Sequence, residues 1–197
     1  QPDGGTLVYG YDATGNLISV QYPDGKTRQY VYNESSLTGG SNLPSAMTGI
    51  IDENGVRFED TGFDSTGRAI STNFTGGVGH VVVQYNADGS SDVTYPLGGV
   101  SHQSYTTVQG LLRVGTVDKP CGECNQPYAS RTYDANSRPA TYTDFNGNVL
   151  AYIFDANGLQ TQQIDAQGSP DQRTINTTWN TALRVPLLRT IKNASGT

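Results

Sequence analysis

The chain has 197 residues, including 24 Gly and 12 Tyr, with 35% hydrophobic and 15% charged residues and a formal net charge of -6. The apolar share is below the roughly 45–50% of an ordinary globular domain, which excludes two thick layers around an aliphatic core. The acidic balance has no basic cluster, so neither nucleic acid nor an anionic membrane is an expected partner, and no run approaches the ~18 apolar residues of a membrane span.

The chain starts at Gln1 without the charged, apolar and small-residue order of a signal peptide, and it is expected to be a segment of a longer protein. A repeat then appears. Tyr11-Asp12-Ala-Thr-Gly15 recurs as Phe63-Asp64-Ser-Thr-Gly67, Tyr85-Asn86-Ala-Asp88-Gly89, Tyr133-Asp134-Ala-Asn-Ser137 and Phe154-Asp155-Ala-Asn-Gly158. Tyr32-Asn33 lies 21 residues after Tyr11, and Phe154 lies 21 after Tyr133. A second set of turns falls between these: Pro23-Asp24-Gly25, Asp52 to Gly55, Leu97-Gly98, Asp144 to Gly147 and Asp165 to Gly168. A reversal about every ten residues is the spacing of successive antiparallel strands.

The turn residues have a physical reason. An Asp or Asn oxygen folds onto a backbone N–H two residues on, and the closing Gly accepts a positive φ. Ser137, in the Gly position, predicts a strained or reshaped turn. Between turns the residues alternate. Ile18, Val20 and Tyr22 share a face, as do Val81, Val83 and Tyr85. Leu150, Tyr152 and Phe154 alternate with Val149, Ala151 and Ile153, which predicts a strand covered on both faces. Residues 35–45 read as a loop, and His102 to Leu112 as a strand leading to the Pro-flanked Cys121-Gly-Glu-Cys124. No stretch keeps a helical apolar period for three turns. The expectation is one all-β domain over residues 1–197, tandem antiparallel hairpins in a curved single-layer sheet.

These residues resemble the Rhs, or YD-repeat, family. The resemblance rests on Tyr11-Asp12-x-x-Gly15-x-Leu17, on Pro23-Asp24-Gly25 followed by Tyr30-x-Tyr32-Asn33, and on Asp144-x-x-Gly147 followed by Tyr152-x-Phe154-Asp155-x-x-Gly158. It runs from about Val8 to about Gly168. Proteins of this kind include bacterial polymorphic toxins, toxin-complex C subunits and teneurin shells. The resemblance implies a hollow shell of side-by-side hairpins, with this chain as wall and a C-terminal toxin as enclosed cargo. It also implies export, hence a secreted or cell-surface location. The self-cleaving core segment of complete shells has no match here, so no residue takes a protease role.

Candidate chemistry is sparse. His80 and His102 are the only histidines, and no nucleophile-elbow, zincin or P-loop motif is present. The repeated Asp12, Asp64, Asp134, Asp144, Asp155 and Asp165 suit turn capping better than acid–base pairing, since they share a turn position. Asp155-Ala-Asn157-Gly158 lacks the further acidic ligands of a calcium loop. Cys121 and Cys124 leave three readings open: a turn with or without a disulfide, half of a metal site, or a redox pair. No cofactor and no enzymatic activity are expected. A non-enzymatic shell segment is the leading expectation, with an adhesin or extracellular fibre and a carbohydrate-binding module, stacking sugars on Tyr rows such as Tyr30 or Tyr152, as alternatives. Its expected partners are the rest of its parent chain and the toxin cargo, with self-association through unpaired sheet edges and a glycan as further possibilities.

Overall fold

A computed structural model describes residues 4–120 and 127–193. Among the described residues there are sixteen β-strands and a single three-residue helical turn, Thr75–Gly77. The chain divides into two compact units, one of residues 1–84 and 93–100, the other of residues 85–92 and 101–197.

The first unit holds β1 (Val8–Tyr11), β2 (Leu17–Gln21), β3 (Thr27–Tyr32), β4 (Met47–Ile51), β5 (Arg57–Phe63), β6 (Ala69–Phe74) and most of β7 (Val78–Tyr85). β8 (Ser91–Thr94) straddles the division. The second unit holds most of β9 (Val100–Val108), and β10 (Leu111–Val117), β11 (Tyr128–Tyr133), β12 (Pro139–Asp144), β13 (Val149–Phe154), β14 (Gln160–Asp165), β15 (Arg173–Asn180) and β16 (Val185–Asn193). Within each unit the strands form an open antiparallel sheet whose order is the order of the chain, without crossovers. That is the all-β tandem-hairpin architecture expected from the turn spacing.

One irregularity recurs with the repeat. The strand register shifts immediately before an aromatic residue at Gly10/Tyr11, Val31/Tyr32, Gly62/Phe63, Thr132/Tyr133, Ile153/Phe154 and Thr178/Trp179. Each shift is a β-bulge that sets two residues against one and tightens the local twist. Gly10 lies opposite Ser19 while Tyr11 lies opposite Leu17, so Ile18 is the extra residue. Thr48 and Thr161 are extra residues of the same kind, and their hydroxyls donate to the Val31 and Ile153 carbonyls, 3.2 Å in each case.

The interior is thin. Val20 in the first unit and Val117, Ala151, Leu159 and Ile175 in the second are the buried hydrophobic residues among those described. Small hydroxyl residues share that burial: Thr38, Thr48, Ser90, Ser91 and Ser101. A single sheet has two faces and no space between layers to fill, which accounts for the low apolar content.

β13 is buried or half-buried on both faces except at Ile153, which is 49% exposed although Ala151 on the same face is 6%. One local expectation is corrected. His102 to Leu112 is not one strand. The chain reverses between β9 and β10 at Gln109 (φ 50°) and Gly110 (φ 76°), two consecutive left-handed residues that make the tight hairpin turn matched to strand twist. The loop expected at residues 35–45 is present within residues 33–46, and it is folded. The Asn33 carboxamide accepts the Leu43 N–H (2.7 Å), the Leu37 carbonyl accepts the Phe63 N–H (2.7 Å), and the Thr38 side chain is fully buried. Cys121 and Cys124 lie outside the described residues.

Candidate functional site

The repeat signature sits on the turns. Asp12 Oδ1 accepts the backbone N–H of Thr14 (2.8 Å) and of Asn16 (2.9 Å), and Gly15 closes the reversal at φ 89°. Asp64, Asp134, Asp144 and Asp155 repeat this double acceptance two and four residues on, with Gly67, Ser137, Gly147 and Gly158 at the positive-φ step. Asp52, in the second set of turns, does the same. Asp52 and Asp144 of the second set therefore share the geometry of the first. Ser137 resolves as strain without reshaping: it takes φ 62° and keeps the 3.0 Å bond from its N–H to the Asp134 carbonyl.

Three acidic residues depart from that pattern. Asp24 and Asp88 stand one step before Gly25 and Gly89, in turns headed by Tyr22 and Asn86, and each accepts a single backbone N–H, from Lys26 and Ser90. Asp165 caps nothing. Its oxygens accept Gln163 Nε2 (2.7 Å) and the Arg173 guanidinium, while Gly168 (φ 80°) donates its N–H to the Gln172 side chain. The arginine comes from the next strand, which sequence order at the turn does not reveal.

Hydrogen bonds hold the carboxylates in the charged form. The Thr14 hydroxyl and the Asn16 amide, with the two backbone N–H groups, bring Asp12 down to about 2 from the ordinary 3.8 against the opposing effect of burial. Asp64 is lowered further by the Thr66 hydroxyl and by Arg68. At Asp134 burial pushes upward, but the Arg138 backbone and guanidinium outweigh it. A carboxyl held charged in this way is a poor general acid.

Aromatic residues lock neighbouring hairpins. Tyr32 donates its hydroxyl to the Leu17 carbonyl (3.0 Å), Tyr133 to Val114 (3.1 Å) and Trp179 its indole N–H to Gln160 (2.9 Å). Each reaches from a bulge to the preceding strand. On β11 to β13, Tyr128, Tyr142, Tyr152 and Phe154 form a chain of ring contacts, with centroids 4.5 Å apart at Tyr128–Tyr142 and 6.0 Å at Tyr142–Tyr152. Arg138 stacks on Phe154 at 4.7 Å. Tyr152 thus packs within a cluster, Tyr30 and Phe63 are half-buried, and Tyr11 and Tyr85 are exposed. Trp179 lies outside the turn signature, although its place directly after Thr177-Thr178 and just before Asn180 parallels the aromatic-Asp/Asn step.

Turns are also stitched to one another. In the second unit Gln109 Nε2 donates to Ala135 O (2.6 Å), Arg138 Nη1 to Asp155 O (3.3 Å) and Arg184 Nη1 to Asn157 O (3.4 Å). In the first unit Asn16 Nδ2 donates to Pro44 O (3.0 Å), and Arg28 pairs with Glu53 (2.9 Å) near the Lys26–Asn54 contact. The folded loop is pinned by Arg57, whose guanidinium bonds Glu34 (2.6 Å), Asp60 (2.7 Å) and the Thr48 carbonyl (3.0 Å). It lies over Gly49, where any Cβ would overlap it.

Reactive groupings are few. His102 Nδ1 contacts Asp92 (2.7 Å), which lowers the Asp92 carboxyl, and the His102 backbone N–H donates to Asp118 (2.8 Å). Among the described residues, no group of three His, Cys, Asp or Glu side chains is placed to hold a metal ion, and no helix is long and apolar enough to cross a membrane.

Tandem antiparallel hairpins, many closed by a carboxylate-capped turn and three pegged to the preceding strand by an aromatic side chain, define a β-hairpin repeat protein. The family model for the RHS repeat matches residues 1–35, so the chain carries the repeat to which its sequence bore a resemblance. No curated protein matches it. Among solved structures, the chain superposes on a TcdB2–TccC3 complex with a TM-score of 0.56 and 13% identity, over 95% of this chain and 10% of that one. It also matches a TcdB2–TccC3–Cdc42 complex (TM-score 0.47, 14% identity, 100% of this chain and 14% of that one). A third match is the Tc holotoxin pore of Photorhabdus luminescens (TM-score 0.32, 13% identity, 98% and 10%). The first superposition shows a shared fold, and the chain spans about a tenth of that solved chain's length.

Proposed function

We propose that the chain is a non-enzymatic wall segment of an Rhs/YD-repeat shell, one continuous hairpin array within a longer, exported protein that encloses and helps deliver a toxin. The observation that carries this reading is the stitching of successive turns by Gln109, Arg138 and Arg184, which joins hairpins at their ends as well as along their strands. Containment needs such a seam. Backbone ladders close the wall between strands, while the turn ends would otherwise gape. Its partners on this reading are the flanking parts of its own chain and the cargo, and its place is outside the cell that makes it.

The test uses the full-length parent chain. Cargo behind an intact wall is expected to resist added protease, and Asp134→Ala combined with Arg138→Ala is expected to speed its cleavage while leaving the isolated cargo's own cleavage rate unchanged. Equal cleavage of cargo in the two parent proteins would overturn the containment reading.

A further inference from the structure

Asn-Gly occurs three times in the chain, at Asn54-Gly55, Asn146-Gly147 and Asn157-Gly158. The pair is chemically labile, because a following residue without Cβ lets its backbone nitrogen approach the Asn side-chain carbon and close a cyclic imide. All three pairs sit at the same step of the same turn. In each, the Asn N–H donates to the carboxylate of the Asp two residues before it (2.9, 2.8 and 2.9 Å), the Gly N–H donates to that Asp's carbonyl (3.0, 3.1 and 3.0 Å), and the Gly takes a positive φ (76°, 85° and 75°). The three Asn residues are all exposed. Sequence and turn geometry leave them equivalent, and only their surroundings separate them.

Asn54 has a cation on its side chain. Lys26, from the turn between β2 and β3, donates from Nζ to Asn54 Oδ1 (3.2 Å). An ammonium only donates, so the contact fixes which amide atom is the oxygen. The carboxylates next to Asn54 already have partners: Glu53 pairs with Arg28 (2.9 Å), and Asp52 Oδ1 accepts the Asn54 and Val56 N–H groups. An open hollow lined by Tyr22, Pro23, Asp24, Lys26, Glu53 and Asn54 admits water to the group. Among the described residues the side-chain amides of Asn146 and Asn157 have no hydrogen-bond partner. Asn157 is also held in its turn, since its backbone carbonyl accepts Arg184 Nη1 (3.4 Å) and Gly158 is half-buried beside Arg138.

We propose that Asn54 is the deamidation site of this chain and that Lys26 selects it. When the turn opens locally, the Gly55 N–H loses its proton to hydroxide and the nitrogen attacks Asn54 Cγ. Negative charge develops on Oδ1, where the Lys26 ammonium already points, and a donor in place at a developing oxyanion lowers the barrier. The Cγ–Nδ2 bond breaks, and ammonia leaves with a proton taken from water. A water molecule then opens the imide at either carbonyl, leaving Asp or isoaspartate at position 54. The overall change is amide plus water to acid plus ammonia, with no oxidation. Both products place a carboxylate beside Lys26. Isoaspartate also adds a methylene to the backbone between the two N–H groups that Asp52 caps, so the β4–β5 turn loses its fit while the turns at Asp144 and Asp155 keep theirs. The proposal holds whether or not the chain encloses a cargo.

Peptide mass spectrometry of the chain held at mildly alkaline pH tests it, by following the gain of one mass unit at each Asn-Gly, folded and in urea. In the folded chain Asn54 is expected to deamidate roughly three- to tenfold faster than Asn146 or Asn157, less than the ~10²-fold of an enclosed oxyanion donor because solvent screens an exposed one. In urea the three rates are expected to converge. Lys26→Met is expected to slow Asn54 to the rate of Asn146, whereas a turn merely loosened by the substitution would react faster. Lys26 is exposed, and circular dichroism checks that the variant keeps its β signal. Equal rates in the folded chain, the same order of rates folded and in urea, a Lys26→Met variant in which Asn54 is no slower, or a covalent link from Lys26 to Asn54 in place of the acid product would each overturn the proposal.

Discussion

Gly15 and Ser137 occupy the same step of the same turn at unequal cost. At Gly15 a Cβ would meet nothing within 4 Å, so the only penalty for a side chain is its φ of 89°. Gly15→Ala is therefore expected to cost about 1–2 kcal/mol through backbone strain alone. Ser137→Gly should relieve a similar strain, offset by roughly 0.5–1 kcal/mol of added backbone freedom in the unfolded chain. Chemical denaturation should thus show G15A destabilised and S137G unchanged or slightly more stable. The turn carboxylates give a pH signature. A carboxyl lowered on folding, like Asp12 at about 2 against 3.8, stabilises the fold fully above 3.8 and loses that contribution as pH falls through about 2. Asp12→Asn with Asp64→Asn keeps the one oxygen that accepts the two backbone N–H groups of each turn and removes the titration, together with the second-oxygen bonds to Asn16 Nδ2 and Arg68 Nε. Its acid-unfolding curve is expected to be flatter than that of the unmodified chain across that window, and coincident curves would rule out the caps as its source.

Trp179 and Arg57 show how elements are held together. Trp179→Phe keeps the ring against β14 and deletes only the 2.9 Å bond to the Gln160 carbonyl. The expected cost is about 1 kcal/mol, that of one net hydrogen bond, read by urea denaturation with circular dichroism. Arg57 gathers Glu34, Asp60 and the Thr48 carbonyl, but its side chain is 28% exposed, so solvent screens the pairs. Arg57→Ala is expected to cost about 1–2 kcal/mol and to release residues 33–46 to protease before the rest of the first unit. At this scale the sequence was only partly legible. Hairpins and turn positions were readable because Asp, Asn and Gly act on backbone within four residues. The bulges were marked only on one strand, by the aromatic that follows each, since the extra residues opposite, Ile18, Thr48, Ile70, Ala140, Thr161 and Leu187, range from methyl to branched aliphatic and hydroxyl side chains. The turn between β9 and β10 was missed because Gln109, an unusual residue at positive φ, stood where Asn or Asp usually marks it.

At the scale of the whole molecule, within each unit and among the described residues, each strand pairs with its neighbours in sequence. Stability in such arrays is close to a sum of hairpin terms and the interfaces between them. Deleting residues 173–193, which form β15 and β16, is expected to remove one such step and the Trp179 peg while leaving β9 to β14 folded, as amide-exchange protection in that region would show. Loss of protection throughout β9 to β14 would mean that the second unit folds as a single cooperative block.

The sequence by itself determined that this is an all-β chain of short hairpins with reversals at named residues, because turn chemistry and strand alternation act over a few residues and leave a periodic trace. It also determined that the wall would be thin, since 35% hydrophobic residues cannot fill two layers. Only the tertiary structure decided which partner each polar group takes. Asp165 turns to Arg173 instead of its own turn, Arg138 serves two turns and a ring, Glu34 pins a loop through Arg57, and Ile153 faces outward from an apolar run. Those choices depend on register, and register in this fold is set by bulges that bring together residues whose own sequence carries no mark of the pairing.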